Sequence, residues 1–234
     1  MSHRSFHQAV VLIFVFISSA LLTLESKAHV RCQEIMDAFP VKTRAMYEAR
    51  LWSGQIGALL RSSRYQEAFL ESQKALTEFP QNKYFLGQQA QALLKLRSYD
   101  RALAVAEQAL RIDPQDFVAL GLKTQALLGL RRFELALEMA EQRLKINSHD
   151  VVALGLKTQA LLGLEEFELA LEVAERQVEI NRHSPVALGL KAQALLGLQR
   201  FGQALEAIQI QLEMNPQNYI ALKLRERAIM GLQP

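Results

Sequence analysis

Residues 118–130 read Val-Ala-Leu-Gly-Leu-Lys-Thr-Gln-Ala-Leu-Leu-Gly-Leu, and the same thirteen residues return unchanged at 152–164. They return again at 186–198 with one change, Ala192 in place of threonine. The spacing is 34 residues each time, and a period of about twenty to fifty residues is typical of stacked repeat arrays. Because each unit of such an array contacts its neighbours, the units together build an extended surface. The repeat therefore predicts a surface that holds other molecules rather than a pocket that transforms them.

The same spacing continues outward in both directions as three columns. An aromatic column holds Tyr65, Tyr99, Phe133, Phe167 and Phe201, and a small column holds Ala68, Ala102, Ala136, Ala170 and Ala204. A large apolar column holds Trp52, Leu86, Leu120, Leu154, Leu188 and Leu222. We therefore expect five units, at 49–82, 83–116, 117–150, 151–184 and 185–218, and a partial sixth from Tyr219.

These columns resemble the pattern of tetratricopeptide-repeat proteins over about residues 45–232. In the unit 117–150 the matching positions are Leu120, Thr124, Leu127, Phe133 and Ala136. The family's proline at the end of the unit is present as Pro80, Pro114 and Pro216, but Ser148 and Arg182 replace it in the two central units. The resemblance implies an all-α fold, a right-handed α-solenoid of stacked antiparallel helix pairs with a terminal helix.

The apolar pattern within one unit predicts the same pair of helices. The second helix carries an apolar stripe at three- and four-residue steps, formed by Phe133, Ala136, Leu137, Ala140 and Leu144. The first helix is apolar on nearly all sides, through Ala119, Leu120, Leu122, Ala126, Leu127 and Leu130. Because a helix that is hydrophobic all round is buried from several directions, we expect the first helices to form the inner layer.

The amino terminus predicts a targeting segment. Arg4 precedes sixteen uncharged residues, 9–24, and the small residues Ser26 and Ala28 follow. This order is typical of a secretory signal peptide over residues 1–28, which predicts an exported protein, periplasmic or secreted. An uncleaved membrane anchor at 9–24 is the alternative, although a membrane-spanning helix normally needs about twenty apolar residues. A cytosolic protein with an apolar start is the third possibility. Residues 29–48 are interpreted as an amino-terminal capping helix, ahead of a repeat domain at 49–232.

Composition narrows the range of partners. The net charge of +3 becomes +2 once residues 1–28, with Arg4, Lys27 and Glu25, are removed. This balance gives no reason to expect nucleic acid as a partner, or membrane contact beyond the possible anchor. Cys32 is the only cysteine, so no internal disulfide forms.

The residues that carry enzyme chemistry are sparse and scattered. His149 and His183 lie one repeat apart in equivalent turns, but zinc requires three or four convergent ligands. The glycines sit inside helical patterns rather than in a phosphate-binding loop. The sequence therefore predicts a non-catalytic protein without a metal or cofactor.

One line along the first helices is the candidate binding surface. Steps of three and four residues join a valine, a glycine, a glutamine and a leucine in each of three units. This candidate row consists of Gln91, Val118, Gly121, Gln125, Leu128, Val152, Gly155, Gln159, Leu162, Val186, Gly189, Gln193 and Leu196. In the family that the chain resembles, the corresponding line faces a concave groove and holds an extended peptide or a partner's helix.

Two interpretations of the row remain open. The glycines leave room for a ligand to approach, or they let successive first helices pack closely. The family members that clamp acidic chaperone tails use lysine and asparagine on this line, so we expect that clamp to be absent. Positive charge reaches the line only at Lys223 and Arg227.

Three functions follow from this surface. The first is an adaptor that binds an extended segment or helix of another protein in the groove. The second is a structural array that self-associates through its apolar carboxy-terminal helix, which contains Leu222, Ile229, Met230 and Leu232. The third is an accessory or regulatory subunit of an envelope complex.

Overall fold

The structure is a computed structural model that describes residues 41–232, with side chains from residue 45 onward. All the secondary structure in these residues is helical, in eleven helices. Their bounds are Val41–Arg61 (α1), Tyr65–Glu78 (α2), Lys83–Lys95 (α3), Tyr99–Ile112 (α4), Phe117–Gly129 (α5), Phe133–Ile146 (α6), Val151–Gly163 (α7), Phe167–Ile180 (α8), Pro185–Gly197 (α9), Phe201–Met214 (α10) and Tyr219–Leu232 (α11).

The amino-terminal predictions lie mostly outside these residues. The signal peptide or anchor at 1–28, Cys32 and the predicted capping helix as far as residue 40 all belong to the part that the structure does not describe. Within the described part, α1 continues without a break through the predicted boundary at residues 48 and 49. The chain divides into two compact units after Trp52, inside this helix.

Within the unit that begins at Ser53, helices pack in the order of the sequence. Each helix from α2 to α10 contacts the next one along the chain. The first helices of successive repeats, α3, α5, α7, α9 and α11, also contact one another. This arrangement confirms the predicted all-α solenoid of stacked helix pairs.

The inner layer is buried as the apolar pattern predicts. Helix α5 buries Ala119, Leu120, Gly121, Leu122, Thr124, Ala126 and Leu127. Thr124 satisfies its hydroxyl by donating to the carbonyl oxygen of Leu120 at 2.7 Å. Ala136 and Ala170, from the small column on the second helices, have no exposed surface. A larger residue there would overpack the helix crossing.

The turn inside each repeat places a non-glycine residue in the left-handed region. The φ angles are 60° at Ser63, 58° at Arg97, 58° at Arg131, 61° at Glu165 and 58° at Gln199. In the third repeat the Arg131 amide donates to Leu128 at 3.0 Å and the Arg132 amide donates to Leu127 at 2.9 Å. This is the paired hydrogen bonding of a Schellman motif, which ends a helix at a left-handed residue.

The turn between repeats forms without the family's proline. The Asn147 side chain accepts from the backbone amide of His149 at 3.1 Å, and Asn181 accepts from His183 at 3.2 Å. Asp113 forms the same side-chain turn with Gln115 at 3.1 Å beside a proline. Because asparagine and aspartate mimic a backbone turn in this way, Ser148 and Arg182 replace proline without loss of the geometry.

Two contacts recur where one repeat meets the next. The aromatic ring that opens a second helix lies against a glycine thirty residues further along, as in the pairs Tyr99–Gly129, Phe133–Gly163, Phe167–Gly197 and Phe201–Gly231. A Cβ at any of these glycines would overlap the ring. Ion pairs cross the same boundaries at Lys123–Glu107 (3.2 Å), Lys157–Glu141 (2.7 Å) and Lys191–Glu175 (2.9 Å). Because these pairs are partly exposed, each contributes little to the stability of the array. They help instead to set the register between adjacent repeats.

Candidate functional site

The position of the candidate row depends on where each first helix begins. At each start a side chain accepts a hydrogen bond from a backbone N–H of the first turn. The Asp116 carboxylate accepts from the Ala119 amide at 2.8 Å, and the Asp150 carboxylate accepts from the Val152 amide at 3.0 Å. Ser184 is bound by Ala187 at 3.3 Å. These are N-caps, which satisfy amides that have no partner inside the helix. The caps recur every 34 residues, so the row is repeated in the same phase on every first helix.

The structure divides the row into three kinds of residue. Val118, Val152, Val186, Gln91, Gln125 and Gln159 are exposed, and Gln193 is half-buried. The three glycines are buried. Leu128 and Leu162 are half-buried and pack against the hydrophobic clusters, and Leu196 is a buried member of one. The valines and glutamines therefore form the accessible part of the row, whereas the leucines belong largely to the core.

Two hollows lie along the accessible part of the row. The α7 hollow has a volume of about 450 Å³ and is lined by Gln125, Val152, Gly155, Gln159, Gln177 and Val186, among others. The α9 hollow has a volume of about 380 Å³ and is lined by Gln159, Val186, Gly189, Gln193, Gln211 and Ile220, among others. Gln159 and Val186 line both hollows, so the two are adjacent sites repeated by one unit.

A buried glutamine from the second helix forms part of each hollow. Gln177 and Gln211 are each 4% exposed. The Gln177 Nε2 donates to the carbonyl oxygen of Val151 at 2.7 Å, and the Gln211 Nε2 donates to that of Pro185 at 2.6 Å. Each bond ties the end of a second helix to the start of its own first helix.

These glutamines account for the glycines of the row. A Cβ on Gly155 would lie 3.0 Å from Gln177 Nε2, and one on Gly189 would lie 3.3 Å from Gln211 Nε2. The glycines thus make room for side chains of the paired second helix. Neither of the two interpretations from the sequence, room for a ligand or close packing of successive first helices, anticipates this neighbour.

The third repeat fills the equivalent position with a charged side chain. Arg143 lies over the ring of Phe117, 3.8 Å from its centroid, and its Nε donates to the carboxylate of Asp150. The Arg143 and Asp150 side chains are only 8% and 6% exposed. A Cβ on Gly121 would overlap the guanidinium. This buried pair is the counterpart of Gln177 and Ser184 in the next repeat.

Arg143, Gln177 and Gln211 are functional-site residues that the sequence did not predict, although a signal for them exists. Their column begins with the small residues Ala75 and Ala109, and the change to long polar residues coincides with a glycine 22 positions earlier in each of the three repeats. A glycine alone is not the signal, because Gly87 faces no atom closer than 3.9 Å and pairs with an alanine. The signal is the combination of a glycine on the first helix with a long polar residue 22 positions later on the second helix.

A larger hollow, of about 980 Å³, lies beside the first repeat and away from the row. Its charged residues pair with each other, as in Arg64 Nε–Glu67 at 2.6 Å and Lys74–Glu71 at 2.7 Å.

Within residues 41–232, no three His, Cys, Asp or Glu side chains are grouped to hold a metal ion. None of the helices in that range is long and apolar enough to cross a bilayer.

Solved structures share this fold at low sequence identity. MamA of Desulfovibrio magneticus RS-1, from residue 41 to its end, is 22% identical with a TM-score of 0.63, and the match covers 73% of this chain and 97% of that one. TTC0263, a thermophilic protein of Thermus thermophilus, is 21% identical with a TM-score of 0.66, covering 79% and 98%. YrrB, described as having an unusual peptide-binding site, is 18% identical with a TM-score of 0.59, covering 80% and 98%. No curated protein matches the chain.

Stacked helix pairs with an accessible row on their first helices define an α-solenoid, a fold that serves as a scaffold for protein–protein interaction. The family model of the tetratricopeptide repeat matches residues 59–126, and the 34-residue spacing continues beyond that match to the last helix. The chain therefore carries tetratricopeptide repeats over residues 59–126, and its remaining repeats resemble that family.

Proposed function

We propose that this protein is a non-catalytic adaptor that binds an extended segment of another protein along the candidate row. The observation that carries the proposal is the pair of adjacent, equivalent hollows on α7 and α9, which share Gln159 and Val186. YrrB, whose fold is similar, is described as having a peptide-binding site, which supports the choice of a peptide as ligand.

The chemistry of the row suits an extended chain. Val152 and Val186 are exposed, and covering apolar surface favours binding by about 25 cal/mol for each Å² removed from water. Gln125 and Gln159 offer both donors and acceptors, which match the alternating groups of a peptide backbone. No charged residue lines either hollow among those that the structure describes. We therefore expect binding to depend only weakly on salt.

A photo-crosslinking residue at position 152 tests where the partner lies. The matched control is the same residue at position 169, because Leu169 is also exposed but lies on the second helix α8. In the native cell, position 152 should give a discrete protein adduct that position 169 does not give. Equal adducts at both positions, or adducts only at 169, would contradict the proposal.

The affinity test uses a peptide from the partner so identified. Changing the three exposed or half-buried glutamines of the central repeats to alanine should weaken binding by about 1.5–4.5 kcal/mol, because each lost neutral hydrogen bond contributes about 0.5–1.5 kcal/mol. The variant is Gln125→Ala, Gln159→Ala and Gln193→Ala. The control changes three exposed glutamines of second helices, Gln66→Ala, Gln108→Ala and Gln203→Ala. Calorimetry gives the affinity and thermal melting the stability; unchanged affinity in a folded triple variant removes the glutamines from the function.

A second candidate function, self-association, is favoured by the exposed side of α11. Ile229 is 45% exposed, whereas Leu161 and Leu195, its equivalents in earlier repeats, are each 2% exposed. Met230 is exposed on the same helix. Sedimentation of the protein and of its Ile229→Lys variant distinguishes the functions, because assembly through α11 predicts an oligomer that the variant dissociates. If both proteins are monomers, self-association is excluded and the adaptor function remains.

We also propose export, from the sequence of residues 1–28 alone. The mature protein should then begin near His29 and lie in a periplasmic or extracellular space. Amino-terminal sequencing of the native protein checks this, and a chain that starts at Met1 or Ser2 is inconsistent with cleavage.

A further inference from the structure

Each hollow is lined by a glutamine whose side-chain carbonyl oxygen lacks a hydrogen-bond partner. These are Oε1 of Gln177 and Oε1 of Gln211, and both atoms are buried. The identity of each oxygen is fixed by its neighbour, since the other amide atom lies within 2.7 Å of a backbone carbonyl, which accepts but cannot donate. The same feature therefore appears twice, in equivalent places of adjacent repeats.

Such an atom destabilises the folded chain unless something binds it. A buried acceptor without a donor loses its hydration and gains nothing in return. Unpaired buried groups are rare in folded proteins, and one explanation is a bound molecule. Oε1 of Gln88 is a third unpaired oxygen, but Gln88 occupies a different position on its helix and contacts Ser53 at 2.8 Å. Of these three glutamines, Gln177 and Gln211 line the hollows of the row and Gln88 does not.

The walls of the hollows define which donors fit. The described lining consists of Val, Leu, Ile, Pro, Gly, Ser, Asn and Gln residues, with no carboxylate. Burying an ammonium or guanidinium group there would be costly, because no opposite charge would compensate it. A hydroxyl or a primary amide meets the acceptor without that cost. The hollows thus favour uncharged donor side chains.

The distance between the hollows defines the spacing of the donors. Equivalent points on α7 and α9 are one repeat apart, and these helices contact each other. Packed helices have axes about 8–10 Å apart, and an extended chain in the polyproline II conformation rises about 3.1 Å per residue and returns to the same face every third residue. About three residues of an extended ligand therefore pass from one hollow to the next.

From these observations we infer that Gln177 and Gln211 are specificity-determining residues for an extended segment with uncharged hydrogen-bond donors, such as Ser, Thr, Asn or Gln, at positions i and i+3. This inference rests on the proposed function and adds the chemistry of the ligand to it. The side chain at i donates to one Oε1 and the side chain at i+3 donates to the other. Each oxygen is buried beneath the wall of its hollow, so contact with a ligand requires the amide to rotate about its terminal torsion, which is broad in glutamine.

The third repeat limits the motif to two positions. There Arg143 takes the place of the glutamine and is bound to Asp150. A guanidinium has no acceptor atom, so this repeat does not accept a hydrogen bond from a further donor side chain of the ligand. The recognised motif should therefore contain two donors and not three.

Selection from a displayed library of nine-residue peptides, randomised over uncharged residues, tests the inference. The unmodified protein should enrich donors at i and i+3. Gln177→Met and Gln211→Met preserve side-chain volume but remove the acceptor, and each should lose the donor preference at one position only. A synthetic peptide with both donors should bind each single variant about 2- to 12-fold more weakly and the double variant about 5- to 150-fold more weakly.

The outcomes separate this inference from the proposed function. Loss of one position of the motif in each folded single variant supports the inference, and a merely structural glutamine would not produce it. Enrichment of peptides without the i, i+3 donors, or the same motif in the variants, overturns it and leaves the adaptor in place; the oxygens then bind water only. If the unmodified protein enriches no peptide, the proposed function fails and the inference fails with it. Thermal melting of each variant confirms that it is folded.

Discussion

The buried pair of Arg143 and Asp150 can be exchanged for residues that the protein itself uses one repeat later. Arg143 corresponds to Gln177, and Asp150 corresponds to Ser184. Both aspartate and serine cap their first helices here. The variant Asp150→Ser therefore keeps the cap and removes only the carboxylate that binds the guanidinium.

We expect Asp150→Ser alone to destabilise the protein by about 3–5 kcal/mol, because it leaves a buried charge without its partner. Adding Arg143→Gln should restore most of this loss, since replacing a whole buried ion pair by a neutral arrangement is often nearly neutral. The stacking of Arg143 on Phe117 is lost as well, which leaves the double variant below the unmodified protein by about 0.5–2 kcal/mol.

Urea unfolding followed by circular dichroism measures the four proteins of this double-mutant cycle. Residues that contact each other give coupling energies of about 0.5–3 kcal/mol, and we expect the upper part of that range. Hydrogen exchange shows which repeats open, since a repeat array need not unfold in one step. Strictly additive losses would refute the view that Arg143 and Asp150 act as a buried pair.

Three further outcomes follow from the contacts between and within repeats. Gly163→Ala should lower the melting temperature, because overpacking the aromatic ring costs about 1–3 kcal/mol, whereas Gly54→Ala, where nothing lies within 4 Å, should raise it. Arg131→Gly should stabilise by up to about 1–2 kcal/mol in urea unfolding, because its φ of 58° disfavours a side chain; no gain would contradict that strain. Hydrogen bonding to Lys83 at 2.8 Å lowers the pKa of Asp113 below 3.8, so the pair stabilises the fold above that pH and is lost as the pH falls through the lowered pKa. Lys83→Gln should return the carboxyl pKa, followed by NMR, toward 3.8, and an unchanged titration would contradict the assignment.

The sequence predicts the helix pairs because the features that form them repeat at one spacing. The aromatic column, the alanine column and the apolar first helix each recur every 34 residues, so every unit supports the same interpretation. The turns are harder to predict from the sequence than the helices are. Nothing at Arg131 signals a left-handed residue, because the position holds no glycine, and Asn147 forms the turn that the proline of other repeats would suggest.

The site could be predicted only in part, for a physical reason. The valines and glutamines of the row follow one helical face, and that periodicity can be read along a single helix. Gln177 and Gln211 reach the row from the second helix, so their place depends on how two helices pack. The glycines that admit them carry no side chain to indicate a neighbour, and the sequence alone left their role open.

The recurring contact between an aromatic ring and a glycine has an evolutionary consequence. Helix α6 meets Gly163 and Lys157 on α7, and the same surface is present on α9 as Gly197 and Lys191. If residues 151–184 were excised, α9 would present to α6 the same glycine and lysine that α7 presents. Unequal recombination between the repeated stretches of the gene can therefore lengthen or shorten the array by whole units, because no new contact between adjacent repeats has to evolve. Each such event would add or remove one hollow, and with it one contact of the proposed extended ligand.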